Sequence, residues 1–322
     1  MLRRRLARRR RRFRRLVVVA LVIASGVAIT FFVAGVGGSA SRRTVGRAAA
    51  IAARLRSPKP VLLPRGGRRL FPGHRIVAYY GIAGTSNVLG RTLDPEADAA
   101  GVERAARAFA RFGRPVRPAF ELVTTIASPE PGPDGTYSSP IATATLDRYV
   151  AAAHRHKLLL ILDFQPGRGQ FLPEVRRYER LLLNPGVGVA LDPEWKLTAS
   201  EVPNQVIGTA SADAINAVSA YLSRLVIVHH LPQKLFIVHE FQLRELPDRG
   251  NIRIRRGLGT VLQMDGLGPV STKLASYRQV MAGARAFHPG FKVFLRPSDD
   301  PMKMTPAQVM ALHPQPDYVS YQ

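Results

Sequence analysis

Two carboxylates and the only tryptophan of the chain stand together at the end of an apolar run. Residues 187–191 are apolar and β-prone, and Asp192, Glu194 and Trp195 follow them. Asp192 and Glu194 are two residues apart, so on an extended strand both side chains point to the same side. When two carboxyl groups lie this near to each other, protonation of one of them is favoured, so a glutamic acid can stay protonated near neutral pH. The pair predicts acid catalysis, with Glu194 as the general acid.

Seven further apolar runs share this shape, and stretches with helical periodicity separate them. The eight predicted strands are 75–82, 118–127, 157–165, 187–191, 235–241, 260–265, 291–295 and 318–321. Eight strands that alternate with helices over about 250 residues predict an α/β fold, a (β/α)₈ TIM-type barrel that ends at strand eight. A doubly wound open sheet is the competing fold, but no glycine-rich dinucleotide fingerprint follows the first strand.

In such a barrel the carboxyl ends of all strands meet at one mouth. Asp265 joins Glu194 and Asp192 there as a third predicted catalytic group. The side chains predicted to bind substrate are Tyr79, Tyr80, Asp163, Gln165, Arg168, Trp195, His239, Glu240, Gln263, Arg296 and Tyr321. Carboxylic acids beside aromatic rings are what glycoside hydrolysis needs, so the sequence predicts a glycosidase-like enzyme. The alternative is a catalytically silent barrel that binds cell-wall glycan or a protein partner.

Metal and cofactor motifs are missing from the sequence. The pairs His154/His156 and His229/His230 lack metal-ligand spacing, and the serine-hydrolase and phosphate-loop motifs do not occur. We therefore predict neither a metal nor a cofactor. The absence of cysteine excludes disulfides and thiolate chemistry.

Two resemblances bear on this interpretation. The residues Asp192-Pro193-Glu194, together with 262–265, resemble the pattern of family 18 chitinases, which implies that Glu194 is the acid, that Asp192 orients the substrate acetamido group and that Asp265 assists. The chain departs from that family at Val187, Ala190 and Met264, where the family has two aspartates and a tyrosine.

A longer resemblance covers residues 71–322. The segments DFQPGRGQF, GVALDPEW, HLPQK and PDYVSYQ resemble a family of exported or membrane-anchored actinobacterial proteins with a glycosidase-like barrel. This resemblance implies the fold and export, and it implies no particular reaction.

The N-terminal region predicts a membrane anchor. Residues 1–15 hold ten arginines, and residues 16–36 are 21 uncharged residues, enough for a helix about 30 Å long. The arginines are expected to stay cytoplasmic, which places the barrel outside the cell on a single-pass helix. Cleavage near residues 38–40 would instead give a secreted protein.

The predicted domains are therefore a cytoplasmic tail (1–15), a signal-anchor helix (16–36), a basic linker (37–72) and the barrel (73–322). Within the linker, 44–56 could form a basic helix that packs where the barrel lacks its eighth helix. The net charge is +25, but residues 71–322 carry only about +6 of it, so we do not expect a nucleic-acid partner. The expected partners are the membrane and a polysaccharide or anionic wall polymer.

Overall fold

The computed structural model of the protein describes residues 60–85, 88–132, 134–296 and 303–322. Within these ranges, eight parallel strands pair in a closed ring, because the first strand pairs with the second on one side and with the last on the other. The ring strands are β1 (Arg75–Gly81), β2 (Val116–Ala127), β4 (Leu159–Phe164), β5 (Val187–Leu191), β6 (Lys234–His239), β7 (Leu258–Met264), β8 (His288–Val293) and β9 (Tyr318–Tyr321). The predicted eight-stranded barrel is confirmed.

Helices connect the strands and cover the barrel. They are α1 (Pro95–Phe109), α2 (Thr143–His156), α3 (Phe171–Arg177), α4 (Glu179–Leu182), α5 (Ala212–Val228), α6 (Val270–Met281) and α7 (Pro306–Met310). A short strand, β3 (Ser138–Pro140), pairs antiparallel with the end of β2. Side-chain N-caps stabilise the first turns of α1 and α5. Asp94 accepts a hydrogen bond from the backbone N–H of Glu96, and Ser211 accepts one from the backbone N–H of Ala214.

Strand alternation divides the buried apolar side chains into two cores. The larger core lies between the strands and the helices. The smaller core fills the inside of the barrel with residues such as Ile161, Ile237 and Val261. Above this inner core, toward the carboxyl ends of the strands, the inward positions become polar.

The segment before β1 closes the other end of the barrel. Leu63, Leu70 and Phe71 are buried and belong to the inner core. A Cβ on Gly259 would stand 2.9 Å from Phe71 Cδ2, so the glycine makes room for this ring. The compact unit accordingly runs from Pro60 to Gln322. The predicted boundary at residue 73 is corrected, since residues 60–72 pack as part of the barrel rather than as a linker.

The predicted N-terminal segments lie outside the described residues. These are the tail 1–15, the anchor 16–36 and the basic helix 44–56. Among the residues that the structure describes, no helix is both long and apolar enough to cross a membrane.

Candidate active site

A fully buried histidine stands at the centre of the barrel mouth. His239 is the last residue of β6, and its Nε2 lies 3.0 Å from Glu121 Oε1 of β2. Its Nδ1 lies 2.9 Å from Asp265 Oδ2 and also 2.9 Å from Asp192 Oδ1. The hydrogen-bond geometry is satisfied toward Asp265, whereas Asp192 Oδ1 has no hydrogen-bond partner among the described residues. We therefore infer that the N–H at Nδ1 donates to Asp265.

A buried lysine completes this network. Lys292 points inward from β8, and its Nζ lies 3.4 Å from Asp265 Oδ2 and 3.6 Å from the centre of the Tyr80 ring. The second oxygen of Glu121 accepts a hydrogen bond of 2.8 Å from the Tyr318 hydroxyl. The carboxylates at the centre of the mouth are thus held by an imidazole and an ammonium group.

Burial and charge move the pKa values of this cluster in different directions. Burial would lower the pKa of His239, but the carboxylates around it, Asp192 first, raise it well above its usual value. Burial likewise works against the charge of Lys292, and Asp265 nevertheless raises its pKa. The pKa of Asp265 is lowered in spite of burial, mainly by the ammonium of Lys292. At neutral pH these three groups are therefore charged.

Two other carboxyl groups behave in the opposite way. Burial, reinforced by Asp192, raises the pKa of Asp163 well above its usual value, and neither of its oxygens has a hydrogen-bond partner in the described part of the chain. Burial also raises the pKa of Glu194, to about 8, with further contributions from Asp265 and Asp192. Most of Glu194 is therefore a neutral acid at pH 7, and burial favours the neutral form of Asp163 as well.

Glu194 reaches the mouth from a turn rather than from a strand. β5 ends at Leu191, and Pro193–Trp195 form a single 3₁₀ turn. The backbone N–H of Gly208 donates to the Glu194 carbonyl over 2.6 Å, and a Cβ at residue 208 would collide with the Lys196 carbonyl oxygen. The sequence argument that placed Asp192 and Glu194 on one side of a strand is corrected, because the strand stops before both residues.

A cavity of about 410 Å³ opens over the cluster. Glu194, Asp265 and Lys292 line it, so the neutral acid, the carboxylate and the ammonium group face the same cavity. Further lining side chains are Tyr80, Gln165, Trp195, Asn204, Phe241, Phe294 and Gln322. Gln165 is fixed on both sides, since its amide donates to Asp192 Oδ2 and accepts from the backbone of Ala127.

Several predicted binding residues lie elsewhere. Tyr79 and Tyr321 contact each other edge to face on the helix side of the barrel, with ring centres 6.4 Å apart. Arg168 stacks on Tyr137 and donates to the carbonyl of Glu201. The remaining three are Glu240, which pairs with Arg249, Gln263, which donates to Ser320 inside the barrel, and Arg296, which is exposed. None of these six lines the cavity.

The other predicted residues are brought together. Tyr80, Gln165, Glu194, Trp195 and Asp265 line the cavity. Asp163, Asp192 and His239 lie in the buried network beneath it. The sequence-based set omitted Lys292, whose signal was a charged residue at an inward position of an otherwise apolar strand. It also omitted Asn204, Phe241 and Phe294.

Two groups of side chains have ligand atoms close enough to share a metal ion. They are Glu121, Asp163 and His239, and Asp192, His239 and Asp265. Lys292 Nζ lies 3.4 Å from Asp265 Oδ2 and 3.5 Å from His239 Nδ1, so its ammonium already provides the positive charge at the second group. Two unit positive charges at such distances repel by about 4 kcal/mol at an effective dielectric constant of 20. We therefore assign no metal to the second group.

Comparison with known proteins gives a likeness of fold. No protein-family model and no curated protein matches the chain. Among the solved structures that resemble it is the crystal structure of an HpcH/HpaI aldolase from Desulfitobacterium hafniense DCB-2. The identity is 11%, the alignment covers 81% of this chain and 90% of that chain, and the TM-score is 0.39.

The predicted glycoside hydrolase is corrected. The geometry of the mouth supplies the physical reason. Glycoside hydrolysis passes through a positively charged, oxocarbenium-like transition state. An ammonium group fixed in the cavity wall opposes that charge, and the expected second carboxylate, Asp265, is already paired with it.

Proposed function

We propose that the protein is an enzyme that transfers a proton to and from a small carbonyl compound in the barrel mouth. Glu194 is the group that carries the proton, and Lys292 stabilises negative charge on the substrate oxygen. The observation that supports this most directly is that a carboxyl group with a pKa of about 8 and a buried ammonium group line the same cavity.

Glu194 suits this role better than the other carboxyl groups. Proton transfer is most efficient when the pKa of the catalytic group lies near the working pH. Asp265 lines the cavity, but its lowered pKa makes it a weak base. Asp163 is fully buried and does not line the cavity. Among the carboxyl groups that the structure describes, Glu194 alone combines a suitable pKa with contact to the cavity.

Lys292 determines which charge the site stabilises. In the proposed step, ionised Glu194 removes a proton from the carbon next to a carbonyl group. The electron pair of the C–H bond forms a carbon–carbon double bond, and the π electrons of the carbonyl move onto its oxygen. The enolate oxygen then faces the ammonium of Lys292, where burial strengthens the attraction. Return of the proton from Glu194 to carbon reverses the step.

The cavity favours a small substrate over a polymer chain. Its volume of about 410 Å³ lies near the lower end of the range of about 300–1,000 Å³ for small-molecule sites. Aromatic side chains of Tyr80, Trp195 and Phe241 cover its apolar parts, and the amides of Gln165 and Asn204 can bind further oxygens of the substrate.

The test is hydrogen exchange in heavy water, followed by proton NMR. The full chain is incubated with enolisable carbonyl compounds, namely 2-oxo acids, hydroxyketones and aldehydes. We expect loss of the C–H signal next to the carbonyl in at least one class, with a rate that rises with pH up to about 8 as Glu194 ionises. Glu194→Gln is expected to lower the rate by at least about 100-fold.

Glu201→Gln is the matched control, because Glu201 lies in the same loop, is largely exposed at its carboxylate and does not line this cavity. This variant should exchange at the rate of the parent. Exchange that survives in Glu194→Gln would refute the role of Glu194. A catalytically silent barrel would exchange none of the compounds, and that result would refute the proposed function.

We also propose that residues 16–36 anchor the barrel outside the membrane. The support for this localisation is the sequence itself, an uncharged stretch that follows ten arginines. Extraction behaviour of the full chain from membranes tests it: carbonate washing should leave the protein in the membrane fraction. Release into the soluble fraction would indicate cleavage and secretion.

A further inference from the structure

The end of the barrel opposite the mouth carries a strongly basic depression. Its volume is about 850 Å³, and it lies between the segment before β1, the end of α5 and the segment before β7. Arg68, Arg69, Arg255 and Arg256 line it, and we call these four residues the basic patch. No aspartate or glutamate belongs to its lining, so its field is positive.

Hydrogen bonds hold the three segments of the basic patch together. The guanidinium of Arg68 donates to the carbonyls of His230 and Leu231 at 2.9 and 3.0 Å. The Nε of Arg255 donates to Ser219 of α5, and Ser223 of α5 donates to the carbonyl of Arg256. Arg68, Arg69 and Arg256 nevertheless remain exposed. The patch is thus a fixed arrangement of charges on folded segments.

Exposed apolar side chains accompany the basic patch. Nine large apolar side chains are exposed in the described part of the chain. Four of them, Leu93, Val206, Leu243 and Leu267, belong to loops on the side of the mouth. The other five lie in the segments that form the basic patch or directly beside it: Val61, Leu62, Ile227, Val228 and Ile254. Val228 is the most exposed of these five, at 58%.

We propose that this face docks on the surface of a bilayer that contains anionic phospholipids. Arginines attract the headgroups, and the exposed valines, leucine and isoleucines enter the region between headgroups and acyl chains. The described chain also enters the barrel on this face, since the Val61 carbonyl accepts a hydrogen bond from Arg68. A tether that leads from a membrane therefore reaches the barrel at the basic patch. The inference does not depend on the reaction proposed for the mouth.

Docking in this orientation has a functional consequence. The basic patch lies at the amino-terminal ends of the strands, whereas the cavity lies at their carboxyl ends. A barrel that rests on its basic patch therefore turns the cavity away from the bilayer. Substrate then enters from the aqueous side rather than from the lipid phase.

The absence of cysteine permits a direct test on the full chain. The protein is reconstituted into vesicles of phosphatidylcholine, with or without phosphatidylglycerol. Val228→Cys reports on the docking face and Leu267→Cys on the mouth side, each labelled with an environment-sensitive dye. We expect a blue shift and protection from an aqueous quencher for the label at 228 only, and only in vesicles with phosphatidylglycerol. The tether is present in both kinds of vesicle, so it cannot produce this difference.

Charge reversal isolates the contribution of the basic patch. In Arg69→Glu/Arg256→Glu, the ratio of docked to undocked protein should fall at least about 25-fold, about fivefold for each lost charge. The control Arg91→Glu/Arg104→Glu reverses two exposed arginines elsewhere and should dock like the parent. Equal quenching of the label at 228 in both kinds of vesicle would overturn the proposal, as would unchanged docking of the first variant. Thermal unfolding of both variants confirms that each is folded.

Discussion

The buried ammonium of Lys292 decides which charge the mouth of the barrel stabilises. Its pKa is raised although burial opposes the charge, because Asp265 and Glu121 lie close to it. The Tyr80 ring, 3.6 Å from Nζ, presents its negative face to the same group. The ammonium is therefore fixed in place before any substrate binds, which is the condition for strong electrostatic stabilisation of a developing negative charge.

Removal of this charge should affect proton transfer strongly. Lys292→Met keeps the apolar stem and deletes the ammonium, so the exchange rate should fall by about 100- to 1,000-fold. Lys292 also lowers the pKa of Glu194, so the pH at which the variant reaches half its maximal rate should move upward. Lys292→Arg retains a positive charge and should keep more activity than Lys292→Met. A pH–rate profile of Lys292→Met that matches the parent would contradict this role.

At the level of single residues, the sequence could not settle which of two neighbours faces inward. Tyr79 and Tyr80 are adjacent on β1, so strand alternation permits only one of them in the mouth, and the structure places Tyr80 there. The same alternation sends Ser320 inward and Tyr321 toward the helices. Which alternate residues of a strand face the inside of the barrel depends on how the strand pairs with its neighbours in the ring. The sequence of a single strand does not reveal these neighbours.

At the level of elements, the strands were predictable because a barrel strand is buried on both faces. A continuous apolar run therefore predicts such a strand even where apolar and polar residues do not alternate, and all eight predicted runs form strands. The segment 60–72 was not predictable in this way. Its arginines, prolines and glycines are typical of a linker, whereas its burial rests on a few side chains, chiefly Phe71 and Leu70.

Phe71 should contribute much of the stability of this end of the barrel. Its ring is 1% exposed, belongs to the inner core and stacks on His288 with ring centres 4.1 Å apart. Phe71→Ala should cost about 3–5 kcal/mol, which lowers Tm by about 6–20 °C. Calorimetry measures the change, and Val61→Ala, at a residue that is 39% exposed, is the control. A change of Tm below about 2 °C in Phe71→Ala would show that the segment does not close the barrel in solution.

At the level of the whole molecule, buried acids link stability to pH. Burial raises the pKa of Glu174 and Glu240 to about 7, of Glu194 to about 8 and of Glu245 to about 9. The folded protein therefore holds protons that the unfolded chain releases near pH 4.5. Stability from such groups is greatest at acidic pH and is lost as pH rises through the folded pKa values. Lys234, whose pKa burial lowers to about 7, acts in the opposite sense only above pH 7.

Tm should therefore decline as pH rises from about 5 to 8, rather than stay level across this range. Each group that holds an extra proton when folded contributes a slope of about 1.4 kcal/mol per pH unit. Glu245→Gln keeps an oxygen that can accept the hydrogen bond from the backbone of Phe241 but cannot ionise. It should make the decline of Tm less steep, by about 3–5 °C per pH unit. Glu130→Gln, at an exposed carboxylate, should leave the slope unchanged. If Glu245→Gln follows the parent at every pH, Glu245 ionises in the folded protein as it does in the unfolded chain, and another buried group governs the pH dependence.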